Sequence, residues 1–228
     1  MAFELKTVVP WGRNLEEYSS FFSLTNKDLN KRIISFGDGP ASFNAEMYKK
    51  GKTVISIDPI YRFCKDELQQ RIEETKAIVL EQTKNNSENF VWKHIHDIDD
   101  LEQRRTNAMK CFINDFEQGK KQGRYIPHEL PNQLQHLNRS FDIGLSSHFL
   151  ILYSQLGIEF HSKSITELLR LCNEIRIFPI VNLNAETSEV LEGIINWFKP
   201  HYHIMIKRVD YEFQKNGNRM LVIKHKYN

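Results

Sequence analysis

The chain has 228 residues, 40% of them hydrophobic and 26% charged, which suits one globular domain that buries its own core. Its 31 Lys and Arg against 29 Asp and Glu give a net charge of +2, too balanced to mark a nucleic-acid footprint. Three scattered cysteines without a CxxC argue against a disulfide framework or a zinc site and fit a reducing cytoplasm.

The opening MAFELKTVVPWGRN lacks a long apolar run behind a basic start, so it does not read as a signal peptide. No apolar run is long enough for a membrane span. Residues 11–29 carry Trp11, Leu15, Tyr18, Phe21, Phe22 and Leu24, and the spacing predicts an amphipathic helix over residues 15–22. It reads either as a helix packed on the sheet or as a lid that turns Arg13 and Tyr18 inward. Residues 32–37 (RIISFG) predict a buried strand, 41–50 a helix closed by Gly51, and 53–57 (TVISI) a second strand. A polar helix follows over 65–84, then a short third strand over 90–94. Residues 99–119 predict a helix with Leu101, Ala108, Met109, Phe112 and Phe116 on its apolar stripe, and 119–131 (GKKQGRYIPHELP) a loop. Lys120, Lys121 and Arg124 make the end of this region basic, the usual mark of a solvated face. A fourth strand lies over 141–145, a helix over 161–176, a fifth strand over 177–182 and a helix over 188–198. Residues 203–213 and 219–226 read as long strands, and the Asn216-Gly217 pair between them predicts an antiparallel hairpin.

Strands alternating with helices predict a mostly parallel sheet with helices on both faces, and ligands in such sheets bind beyond the carboxyl ends of the strands. Gly37-Asp38-Gly39-Pro40-Ala41 therefore stands out. Two glycines allow a sharp turn and a close approach of backbone to ligand, and the following helix points free N–H groups at the same spot. Asp58, at the end of the second strand, has the placement of an acid that accepts hydrogen bonds from a ribose diol, each such charge-assisted bond being worth about 1.5–3 kcal/mol. A dinucleotide and S-adenosylmethionine both fit a glycine turn followed by an acid. Ser42 stands where a dinucleotide fingerprint has Gly or Ala, the turn lacks donors for a pyrophosphate, and the final hairpin is antiparallel; all three favour S-adenosylmethionine.

On these residues the chain resembles class I S-adenosylmethionine-dependent methyltransferases from about residue 32 to 226. The stretches GRNLEEYSSFFSLTNKDL, DPIYRF and SSHFLILYS are similar to a group of bacterial methyltransferase-like proteins without an assigned substrate. The resemblance implies an α/β, Rossmann-like methyltransferase fold. Its sheet is seven-stranded and mostly parallel, with an antiparallel C-terminal hairpin and helices on both faces. It implies a cap or lid over residues 1–31, a methyltransferase domain over 32–228, and a helical insertion over 95–140 between the third and fourth strands. The family's first motif, acid-x-Gly-x-Gly-x-Gly, is met by Gly37 and Gly39, with Ser35 and Ala41 in place of the leading acid and last glycine. The implied cofactor site is Gly37, Asp38, Gly39, Ala41, Asp58, Pro59, Asp97 in the adenine-facing loop, and Ser146.

At the fourth strand's end, Ser146-Ser147-His148-Phe149 falls where the family brings its acceptor to the methyl group. His148 is the candidate general base, or else a histidine bonded to backbone or packed on the cofactor. The Asp/Asn-Pro-Pro-aromatic motif of many base and glutamine methylases is missing here. His94/His96 and His201/His203 alternate as on a strand, and no metal site is read. The expected function is methyl transfer to a small-molecule acceptor in the cytoplasm, RNA or protein acceptors remaining open. The alternatives are a non-catalytic cofactor- or partner-binding protein on the same fold and a nicotinamide oxidoreductase, which requires a parallel final strand.

Overall fold

A computed structural model of the protein describes residues 11–135 and 138–226. Residues 1–10, the first third of the segment read above as a cap or lid over 1–31, lie outside them. Seven strands form one sheet: β1 (Ile33–Phe36), β2 (Val54–Ile57), β3 (Tyr125–Ile126), β4 (Phe141–Ser147), β5 (Cys172–Phe178), β6 (Tyr202–Arg208) and β7 (Arg219–His225), in the order β3-β2-β1-β4-β5-β7-β6. The first five are mutually parallel. β7 runs antiparallel to both neighbours and is slotted between β5 and β6. This is the Rossmann-like methyltransferase topology that the sequence implied, and its antiparallel β7 removes the oxidoreductase alternative.

Local chemistry explains the elements. β1 (IISF) is buried at every position, as a central parallel strand must be. Asn14 caps α1 (Leu15–Phe21) in a reciprocal box with Glu17. α2 (Phe43–Lys49) and α3 (Lys65–Asn85) follow β1 and β2. α4 (Ile98–Lys121) starts at Asp97, whose carboxylate accepts the Asp100 amide at 2.7 Å. α5 (Gly157–Leu171) and α6 (Leu191–Phe198) complete the layers.

One large apolar cluster joins β1, β4, β5 and β7 to α5 and α6. A second joins the sheet to α1 and α2, with Phe21 stacked on Phe178 at 4.8 Å. A third lies between α3, α4 and β3. α1 is thus a core element rather than a detached flap. It is pinned to α4 by a bidentate ion pair, Arg105 to Glu17 at 2.6 and 2.7 Å, with both side chains almost fully buried.

Several expectations are corrected. Residues 90–94 are not the third strand. Phe90 makes only an isolated antiparallel bridge to Gln214, and Phe90 and Trp92 pack on Phe213 at 4.7 and 5.3 Å. The third strand is Tyr125–Ile126, inside the stretch read as a loop. α3 and α4 therefore both lie between β2 and β3, and α4 is not an insertion after the third strand. The helix and strand read at 161–176 and 177–182 also begin earlier, at Gly157 and Cys172.

Candidate functional site

The carboxyl ends of β1, β2 and β4 open into a cleft of about 260 Å³. Gly37, Asp38 and Gly39 line it from the β1 turn, Asp58 and Pro59 from the end of β2, and His148 and Phe149 from the end of β4. Trp11, Arg13 and Tyr18 close it from the N-terminal side. The chain reaches this position because the Ser42 amide donates to the Arg13 carbonyl at 3.0 Å, docking the approach to α1 on the start of α2.

Both turn glycines adopt left-handed backbone, φ +68° at Gly37 and +55° at Gly39. They are glycine for different reasons. A Cβ on Gly37 would stand 2.6 Å from the Phe149 ring, whereas one on Gly39 would meet nothing within 4 Å. Gly39 therefore borders open space, and it is here that the backbone is free to meet a ligand. Its carbonyl accepts the Tyr61 hydroxyl at 2.8 Å.

Asp58 is buried at the cleft wall. Its Oδ2 accepts the Gly39 amide at 2.8 Å and its Oδ1 the Ile60 amide at 2.9 Å. Burial outweighs these bonds and lifts its pKa to about 6, with a smaller push from Asp38. Each carboxylate oxygen has a second acceptor direction, so the capped carboxylate keeps the capacity to receive hydroxyl donors. Asp38 turns the other way. Its carboxylate accepts the hydroxyls of Tyr18 (2.6 Å), Ser56 (2.5 Å) and Ser35, and burial raises its pKa. Ser35, standing where the family motif has an acid, is thus bonded to an acid three residues later.

Arg13 is the cleft's cation. Among the described residues it makes one hydrogen bond, from Nη1 to the Trp11 carbonyl at 3.0 Å, and its buried Nε has no partner. Burial, reinforced by Arg105, brings its pKa down to about 10. His148 sits at φ +52°, its amide bonded to the Phe178 carbonyl at 2.6 Å and its Nδ1 to the Ser147 hydroxyl at 2.8 Å. Burial, with Arg13 and Arg105 nearby, holds its pKa well below the ordinary histidine value, so the ring is neutral at neutral pH.

The structure does not bring every candidate together. Ala41 is buried in the second apolar cluster, Ser146 is fully buried beside Ser147, and Asp97 caps α4; none of the three lines this cleft. With the third strand at Tyr125–Ile126, the loop beyond its end is residues 127–130, and His128, Glu129 and Leu130 line the cleft where Asp97 was expected. Sequence reasoning missed these three because a two-residue strand carries almost no pattern of its own. The available signal was the apolar pair Tyr125-Ile126 followed directly by Pro127.

No family model matches the sequence. Over 222 residues the chain is 36% identical to the uncharacterised protein MJ0045 of Methanocaldococcus jannaschii, covering 96% of this chain and 97% of that one. The chain belongs to that protein's family. More distant likenesses among solved structures include the magnesium protoporphyrin IX methyltransferase of Synechocystis PCC 6803, crystallised with bound S-adenosylmethionine (11% identity, TM-score 0.47, covering 93% of this chain and 78% of that one). Another is an O-methyltransferase family protein of Burkholderia thailandensis (10% identity, TM-score 0.48, covering 93% of this chain and 56% of that one). Scores this low carry no functional conclusion. Among the described residues, no helix is long and apolar enough to cross a membrane.

Proposed function

We propose that the protein binds S-adenosylmethionine in this cleft and transfers its methyl group to a small-molecule acceptor. The observation that carries the reading is the pairing of Asp58 with Gly39. A buried carboxylate and an open left-handed glycine, at the ends of adjacent parallel strands, are joined by a 2.8 Å hydrogen bond and face one cleft. Asp58 has the acceptor directions for a ribose diol, and Gly39 leaves the backbone exposed beside it. The loop of His128 and Glu129 lies on the side where the base would rest. When bound, the cofactor supplies an electrophilic methyl group on a sulfonium.

The chain's own residues do the positioning. The Asp38 cluster fixes the β1 turn through Tyr18, Ser35 and Ser56. Phe149 fills the space above Gly37. His148, neutral and hydrogen-bonded through Nδ1, orients an acceptor more readily than it strips a proton from an alcohol or an ammonium, because its basicity is depressed.

Calorimetric titration with S-adenosylhomocysteine tests the reading. The expected result is micromolar binding, weakened at least tenfold, about 1.4 kcal/mol, by Asp58→Ala. A folded wild-type protein that does not bind it would overturn the assignment in favour of a non-catalytic partner-binding protein.

A further inference from the structure

Behind the cleft lies a second chamber of about 100 Å³, and Trp11, Arg13 and His148 line both. Its walls come from elements remote in sequence: Val79 of α3, Leu101 of α4, Phe90, Leu152, Leu183 and Phe213. All six are apolar. Its polar lining also includes Tyr153; Thr83 donates to the Val79 carbonyl at 2.8 Å, and Gln214 donates to the carbonyls of Asn182 and Leu183 at 2.8 and 3.2 Å. These donors are directed into the protein. Arg13 differs, with no carboxylate partner among the described residues.

The surrounding charges decide the sign of the chamber. Arg105 is neutralised by its bidentate pair with Glu17, and Tyr211 donates a further hydrogen bond to the same carboxylate at 3.2 Å. Arg13, which Glu17 attracts without a hydrogen bond, is left without a carboxylate of its own, and burial first, then Arg13 and Arg105, keeps His148 neutral.

We propose that this chamber holds the methyl acceptor, and that the acceptor is a small molecule with an apolar, ring-sized skeleton and one ionised oxygen directed at Arg13. The assignment rests on the methyl-donor reading of the adjoining cleft. A lone pair of that oxygen forms the new O–CH3 bond, the methyl–sulfur bond breaks, and its electron pair remains on sulfur. An anion and a sulfonium become two neutral products, no proton is left over, and no strong base is needed. Charge disappears along the reaction, so largely apolar walls favour it over the same step in water. A protonated amine, by contrast, would have to enter beside Arg13 and surrender a proton to a histidine of low basicity.

Matched ring compounds of different charge test this: benzoate, benzamide and benzylamine, titrated at neutral pH by ligand-detected NMR with and without S-adenosylhomocysteine. Benzoate is expected to bind at least tenfold more tightly than the other two. Arg13→Met is expected to bring benzoate level with benzamide. Leu183→Trp, which fills the chamber, should remove benzoate binding and keep S-adenosylhomocysteine binding. Equal or tighter binding of benzylamine, no binding of any of the three, or benzoate binding untouched by Leu183→Trp would overturn the proposal while leaving the donor site standing. Failure of S-adenosylhomocysteine alone to bind would overturn the donor reading, and the role of acceptor with it.

Discussion

Asp58 stands at about 6 in the ligand-free protein, because burial outweighs the amide bonds from Gly39 and Ile60. Ribose hydroxyls donate to the ionised form, so protonation removes the acceptor. With that value Asp58 is about nine-tenths ionised at pH 7 and about one-tenth at pH 5. The apparent dissociation constant is the intrinsic one divided by the competent fraction, so the constant for S-adenosylhomocysteine should rise about tenfold from pH 7 to pH 5. Binding at pH 6 should also release about half a proton, read by calorimetry in two buffers of different ionisation enthalpy. Asp58→Asn should bind more weakly at pH 7 and show neither the slope nor the proton release. The folded carboxylate binds its proton more tightly than the unfolded one, so Asp58 makes the free protein lose stability as pH rises from about 4 to about 6. A wild-type affinity flat between pH 7 and pH 5, in protein shown folded by its melting curve, would refute the role of Asp58.

Arg105→Met should cost about 3–5 kcal/mol, because it leaves the buried Glu17 carboxylate unpaired, and should lower Tm by about 6–20 °C. Adding Glu17→Gln should recover part of that loss, which thermal melts of the single and double variants will show. Gly37→Ala should exceed the roughly 1–2 kcal/mol cost of a left-handed alanine, since its methyl also strikes the Phe149 ring; Phe149→Ala in the same chain should relieve only the steric part. Gly39→Ala should cost only the roughly 1–2 kcal/mol backbone part in denaturant unfolding, yet weaken S-adenosylhomocysteine by more than its loss of stability suggests, because its methyl enters open space at the cleft.

The parts of the fold that could be read from sequence were those whose pattern is set locally. β1 and β2 are β-branched runs ended by turn residues; β6 and β7 do pair antiparallel, but the strand read over 203–213 stops at Arg208 and the loop 209–218, rather than a tight turn at Asn216-Gly217, joins them. Gly37, Gly39 and Asp58 were legible as a site because strand-end position follows from the alternation of elements. β3 was not, because two residues have no period, and Tyr125 and Ile126 become a strand only by pairing with Ser56 and Ile57. Residues 90–94 misled for the converse reason. Their aromatic side chains have high strand propensity but are spent on a cluster with Phe213. Arg13 was legible as an inward-turned residue of the N-terminal segment, but the second chamber was out of reach: its walls come from residue 11 to residue 214, and only the folded chain brings them together.

The placement of β7 sets an order of assembly. β6 is synthesised first but touches the sheet only through β7, so it has no docking place until the later strand is laid down. During synthesis the nascent sheet therefore ends at β5, whose apolar Ile175 and Ile177 lie along an unpaired edge. A chain stopped at Asn218 would keep every cleft-lining side chain and still present that edge to other molecules. Pairing of a few residues far from the cleft thus closes the edge along which the sheet could otherwise join another chain.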